Sequence, residues 1–142
     1  MADTHLAQMF FDRARSEGQS PGYRVRQGGA YVDVAFGEAA DRVEAIASGL
    51  VKGGHAPAPG TCVTIMANTR LEWILADWAL LSLGYRTVPI YVSLLPPEIG
   101  YIHADTRPSC WWSRTRRCST RCARPSAAST SSRSTTRPTP SS

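Results

Sequence analysis

APGTCVTIMANTRLEWILADWALLSLGYRTVPIYVSLLPPEIGYIHADTRP, residues 58–108, is the stretch that decides the fold. TCVTIMA, Thr61 to Ala67, is a nearly continuous apolar run with β-branched residues, the pattern of a strand buried on both faces. Thr69-Arg-Leu-Glu72 matches a capping box, in which the Thr oxygen accepts from a backbone N–H near Glu72 and the Glu72 carboxylate reaches back. In the LEWILADWALLSL that follows, Leu71, Ile74, Leu75, Trp78 and Leu81 form one stripe while Trp73, Ala76 and Leu80 cover other directions. A helix buried on more than one side is predicted, ended by Gly84. RTVPIYV, from Arg86, returns to strand character, and Pro89 within it argues for a sheet edge, a bulge or an early end of pairing. LLPPEIGYIHAD then offers prolines suited to a first helical turn, with Ile99, Ile102 and His103 at helical spacing. Strand, helix, strand, helix predicts a parallel sheet wound by right-handed crossovers. That pattern demands another strand after Pro108, which residues 109–142 are not expected to supply.

Upstream, His5 to Ser16 places Leu6, Met9, Phe10 and Arg13 at helical spacing, predicting a short amphipathic helix. After Ser20-Pro21-Gly22, Tyr23 and Val25 alternate with Arg24 and Arg26. Beyond Gly28-Gly29, Val32, Val34 and Phe36 alternate with Tyr31, Asp33 and Ala35, which predicts a β-hairpin with a glycine turn. From Gly37 to Gly53 the period becomes helical through Ala39, Val43, Ile46, Ala47 and Leu50. Glu38 and Arg42 are spaced to pair on the outer face, and Lys52 suits the helix C-terminus.

Residues 109–142 differ in kind. They hold ten Ser, six Thr and seven Arg and no Leu, Ile, Val, Met, Phe, Tyr, Gly, Lys, Asp or Glu. Such a segment builds no core and is expected to be disordered. The formal net charge of +5 therefore belongs to it: nine basic against eleven acidic side chains leave residues 1–108 at −2, and the seven arginines bring +7. The chain divides into a partial α/β domain, 1–108, and an Arg/Ser/Thr-rich tail, 109–142. No apolar run reaches the roughly 20 residues of a spanning helix, and MADTHLAQMFFDRARSEG lacks the pattern of a secretory leader. The expected compartment is the cytoplasm.

The residues resemble the AMP-forming acyl-CoA synthetases, and among them the long-chain fatty-acid–CoA ligases. YVDVAFGEAADRVEAIASGL, residues 31–50, is similar to the family's opening core motif, and residues 58–108 to the following block with its second motif, LSLGYRTVPIY. The resemblance covers residues 4–108 and departs at Thr61, where the family has an acidic residue, and at Tyr85-Arg86, where it has a small apolar pair. It implies the N-terminal part of an adenylate-forming fold. For full-length relatives it implies ligation of a fatty acid to coenzyme A through an acyl-adenylate, with ATP, Mg2+ and CoA, and peripheral membrane association. The family's phosphate loop, metal-holding acid, ribose-binding Asp and catalytic Lys all fall outside the matched segment. This chain alone is therefore expected to be inactive, with no catalytic residue, no metal ligand and no cofactor of its own. Tyr91 and Ser93, just past a strand's C-terminal end, are the candidates for lining a substrate or nucleotide cleft.

The tail invites other readings. Read in a displaced frame, each codon taking the last base of one residue and the first two of the next, Cys110-Trp111-Trp112 gives Leu then Val whatever codons are used. With GC-rich codons the shifted tail begins as an apolar strand, so residues from about Ser109 are expected to be a frameshift product. Read at face value, the tail is instead a basic nucleic-acid-binding segment with Trp111 and Trp112 available to stack on bases. No recognition motif or basic face accompanies it, and an accidental polycation is the preferred reading. SAASTSSRSTTRPTP, from Ser126, has no Gly or Lys with which to cradle phosphate. Cys118-x-x-x-Cys122 with Cys110 and His103 does not form a zinc-finger spacing, and unpaired thiols are expected. His103 is expected to be a partly exposed structural residue, Trp73 and Trp78 core. A third reading, a non-catalytic interaction module, would need a partner over the open sheet edge.

Overall fold

The computed structural model describes residues 5–55 and 59–113. Helix α1, Leu6–Ser16, leads into strands β1, Pro21–Gln27, and β2, Ala30–Ala35, then helix α2, Phe36–Lys52. Strand β3, Cys62–Met66, helix α3, Leu71–Ser82, strand β4, Arg86–Ile90, helix α4, Pro96–Thr106, and strand β5, Cys110–Ser113, complete the order. β1 and β2 pair antiparallel across Gly28 (φ +57°) and Gly29 (φ +91°), a two-residue turn that needs positive φ at both positions. Val34 is buried, whereas Val32 is exposed and Phe36 has already passed into α2.

The second sheet has the order β4-β3-β5, all parallel. β3 is central, and Cys62, Val63, Thr64 and Ile65 are all buried, as the apolar run predicts. Pro89 lies opposite Ile65 in β4, at the edge of the sheet, where its missing N–H breaks no ladder bond. The expectation of no further strand and of disorder from residue 109 is corrected at its start: Cys110–Ser113 pair with Val63–Met66. Trp is enriched in strands, so Cys110–Ser113 pair as a strand without an aliphatic residue. Cys110 is 8% exposed and disulfide-bonded, which corrects the unpaired-thiol reading at that position. The remainder of the tail, with Cys118 and Cys122, lies outside the described residues.

Two apolar clusters hold the elements together. The first joins Phe10, Val34, Ala39, Ala40, Val43, Leu75 and Ala79, with Trp78 packed against it. The second joins Leu50, Val63, Ile65, Leu80, Tyr85 and Cys110, with Trp73 against it. α3 is common to both, as a helix apolar in several directions must be. Its start differs from the expected capping box. Arg70, not Thr69, is the N-cap residue and no side chain caps the helix. Arg70 Nε instead donates to the Glu72 carboxylate at 2.6 Å, since a guanidinium two residues away competes for the acid through charge-assisted hydrogen bonds. The Glu98 carboxylate, by contrast, accepts the Leu95 N–H at 2.7 Å at the start of α4.

Thr64, 0% exposed, has a hydroxyl with no hydrogen-bond partner among the described residues. Replacing it with the isosteric Val removes an unsatisfied polar group at no cost in volume, so Thr64→Val is expected to raise stability by about 1 kcal/mol. A urea midpoint at or below that of the parent protein would contradict this.

Candidate functional site

The site follows from the order in which the chain visits the parallel strands. From β3 it crosses to β4 on one side, and from β4 it returns past β3 to β5 on the other. Right-handed crossovers in opposite directions put α3 and α4 on opposite faces of the sheet. The loops leaving the carboxyl ends of β3 and β4 therefore diverge, and open α/β sheets bind ligands at such a point, which makes it the candidate cleft. Asn68 and Thr69 follow β3 on one side of it; Tyr91, Val92 and Ser93 follow β4 on the other.

Tyr91 and Ser93 thus lie at the expected end of the sheet, and both are exposed, Tyr91 at 78%. A turn in which Leu94 N–H donates to the Tyr91 carbonyl at 3.2 Å holds them before α4. Val92, Leu95 and Tyr101 are also exposed, and α4 has no buried residue. The described residues at this end offer the Asn68 amide, the Thr69 and Ser93 hydroxyls and the Tyr91 phenol, with Glu72 and Glu98 in the first turns of the two helices. Among the described residues no group of three or more His, Cys, Asp or Glu is placed to hold a metal.

A feature missed in the sequence lies elsewhere. A groove of about 640 Å³ runs between the hairpin and the start of α3, and its lining includes Arg24, Arg26, Arg42 and Arg70, the acidic Glu72, and the apolar Leu71 and Ile74. Arg24 donates through Nε and Nη2 to both Asp33 oxygens across the hairpin, Arg42 pairs with Glu38, and Arg70 with Glu72. The hydrogen bond from Arg24 holds the Asp33 carboxyl below the usual carboxylate range. The hydrogen bond from Arg70, with a smaller backbone contribution, does the same for Glu72. The only sequence signal was the alternation of Arg24 and Arg26 on one strand, which reads as an ordinary solvated face.

Because both carboxyls titrate lower in the folded chain than in the unfolded one, their contribution is complete above the ordinary carboxylate range. It is lost as pH falls through the depressed values. The pairs are exposed, so the effect is small. The double variant Arg24→Gln/Arg70→Gln should differ from the parent protein in Tm near neutral pH and converge with it in acid. An equal difference at both pH values would rule the pairs out as its source.

The order of elements and the parallel sheet agree with the resemblance in residues 31–50 and 58–108. The family profile described as AMP-binding enzyme matches residues 10–139. The chain belongs to this family. Among curated AMP-binding relatives, the long-chain-fatty-acid–CoA ligase FadD15 of Mycobacterium bovis is 32% identical over 102 residues, 72% of this chain and 17% of its own length. The peroxisomal long chain acyl-CoA synthetase 7 of Arabidopsis thaliana is 34% identical over 95 residues, 63% of this chain and 13% of its own. The chain thus spans about a sixth or less of the length of these two relatives. The N-terminal subdomain of NpsA from Klebsiella oxytoca superposes with a TM-score of 0.67 at 17% identity, covering 76% of this chain and 27% of that one. The fold is therefore that of the N-terminal part of the adenylate-forming enzymes. With one relative named as peroxisomal, membership of the AMP-binding family does not by itself specify the cytoplasm. Among the described residues no helix is long and apolar enough to cross a membrane.

Proposed function

We propose that this chain is an N-terminal portion of a long-chain fatty-acid–CoA ligase, and that on its own it does not catalyse the ligation. In this reading the longer protein activates a fatty acid with ATP and Mg2+ to an acyl-adenylate and passes the acyl group to CoA in the cytoplasm. The observation that carries it is the joint agreement of residues 31–50 and 58–108 in order and spacing with the long-chain ligases, supported by curated relatives of that name. Acyl transfer by this route needs donors around the phosphates and a cation to offset charge at the α-phosphate. Neither the Ser/Thr/Gly loop ending in Pro-Lys nor an equivalent is present in the 142 residues, and the one lysine, Lys52, sits in the last turn of α2.

Tyr91 and Ser93 are proposed to line the cleft of the longer protein from the β4 side. The domain boundary near residue 108 and the out-of-frame origin of the tail are proposed with them. The frame argument rests on the Cys110-Trp111-Trp112 codons alone, and the family profile itself continues to residue 139.

The test has two arms. Pyrophosphate release from ATP, fatty acid and CoA should stay at background with the 142-residue chain; turnover would refute the claim of inactivity. Sequencing the gene and shifting the frame by one base near codon 109 should open a family-like reading frame whose product is active with long-chain acids. Absence of any such frame would overturn the tail proposal, and an active product that ignores fatty acids would overturn the substrate.

A further inference from the structure

The arginine-lined groove begins beside the segment that leaves the carboxyl end of β3 and extends to the hairpin, away from Tyr91 and Ser93. Three elements build it: β1 contributes Arg24 and Arg26, α2 contributes Arg42, and the segment entering α3 contributes Thr69 and Arg70. Its volume of about 640 Å³ lies within the range of about 300–1,000 Å³ that small-molecule sites occupy. Leu71 and Ile74 add apolar surface to its lining, and Glu72 a carboxylate.

The resident carboxylates do not saturate the guanidinium groups. Each guanidinium offers five N–H donors in a fixed fork. Arg24 spends Nε and Nη2 on Asp33, and Arg70 spends Nε and Nη2 on Glu72. Arg42 donates to the Glu38 carboxylate through Nη2. Those pairs are exposed and screened by solvent, so they hold the side chains in place weakly enough to share. The occupant must offer more than they do. A monoanionic carboxylate gains nothing over Asp33, Glu38 or Glu72, which are already covalently tethered. A phosphate monoester carries close to two charges near neutral pH and three terminal oxygens, which suits guanidinium groups arriving from several elements.

We propose that this groove binds a phosphate monoester with an apolar or aromatic body, the phosphate on Arg42 and Arg70 and the body against Leu71 and Ile74. Phenyl phosphate is the probe, titrated into the full chain at low ionic strength and followed by backbone amide NMR shifts. Saturable shifts centred on Thr69–Ile74 and Tyr23–Gln27 are expected, with inorganic phosphate and benzoate each binding at least fivefold more weakly. Arg42→Gln and Arg70→Gln should each weaken phenyl phosphate at least fivefold while leaving the rest of the spectrum, and hence the fold, unchanged. Shifts confined to residues 114–142, or variants that bind as the parent protein does, would assign any binding to the basic tail and overturn the site. Equal affinity for benzoate would overturn the phosphate preference. None of these outcomes depends on ligase activity.

Discussion

Leu80→Ala is expected to lower the free energy of unfolding by about 3 kcal/mol, within the range of about 2–5 kcal/mol for truncating a buried Leu. Leu80 is 2% exposed and belongs to the cluster of Leu50, Val63, Ile65, Tyr85 and Cys110 beneath the parallel sheet. No other α3 side chain is fully buried in that cluster, with Trp73 and Leu83 packed only partly against it. Neighbours so tightly held relax little, and the cavity adds to the lost transfer energy. Against a total of about 5–15 kcal/mol for a small domain, the loss should appear as a large fall in urea midpoint. Leu81→Ala, at a half-buried position one residue on, should cost clearly less. Equal effects of the two substitutions would mean that the sheet does not pack on α3 through Leu80.

Trp78→Ala is expected to cost about 3 kcal/mol by a different route. The indole stacks on Phe10 with ring centroids 4.7 Å apart and planes 14° from parallel, and its Nε1–H donates to the Tyr23 hydroxyl at 2.9 Å. One side chain thus ties α1, the hairpin and α3 together. Phe10 is the large ring that α1 buries, so its loss of a stacking partner should also release α1, seen as faster proteolysis in Glu17–Ser20. Trp78→Phe keeps a ring for Phe10 and removes only the donor, at about 1 kcal/mol. Burial holds the Tyr23 hydroxyl above its ordinary pKa while the Trp78 donor acts against that shift, so Trp78→Phe should raise it further in a spectrophotometric titration. If Trp78→Phe were as damaging as Trp78→Ala, stacking would not be the main contribution.

Much of this architecture was legible because its signals are local. The run from Thr61 to Ala67, the glycine pair at Gly28-Gly29 and Pro89 at an edge each follow from backbone sterics within a few residues. Helix α3 is buried on more than one side, as expected: Leu75 of the stripe and Ala76 and Leu80 from the other directions are buried, Ala79 joins them, and Leu71, Ile74, Trp78 and Leu81 are half-buried. A helix apolar on most sides has no single periodic face, and what packs against it chooses. The capping box at Thr69 failed because the sequence pattern ignores Arg70, whose guanidinium takes the same carboxylate. At the candidate cleft, Tyr91 and Ser93 could be placed because a ligand-binding edge follows from strand direction. The arginine groove could not, since Arg24, Arg42 and Arg70 come from three separated segments.

The sequence by itself determined the order and type of the elements and the likeness to AMP-binding enzymes, because periodicity, turn residues and motif order are properties of the chain taken in line. Tertiary structure alone decided the strand order β4-β3-β5, the sharing of α3 between two cores, the strand made from Cys110–Ser113 and the meeting of arginines around one groove. Each depends on contacts between residues tens of positions apart, where burial and charge pairing, not local conformational preference, select among the arrangements the same elements allow.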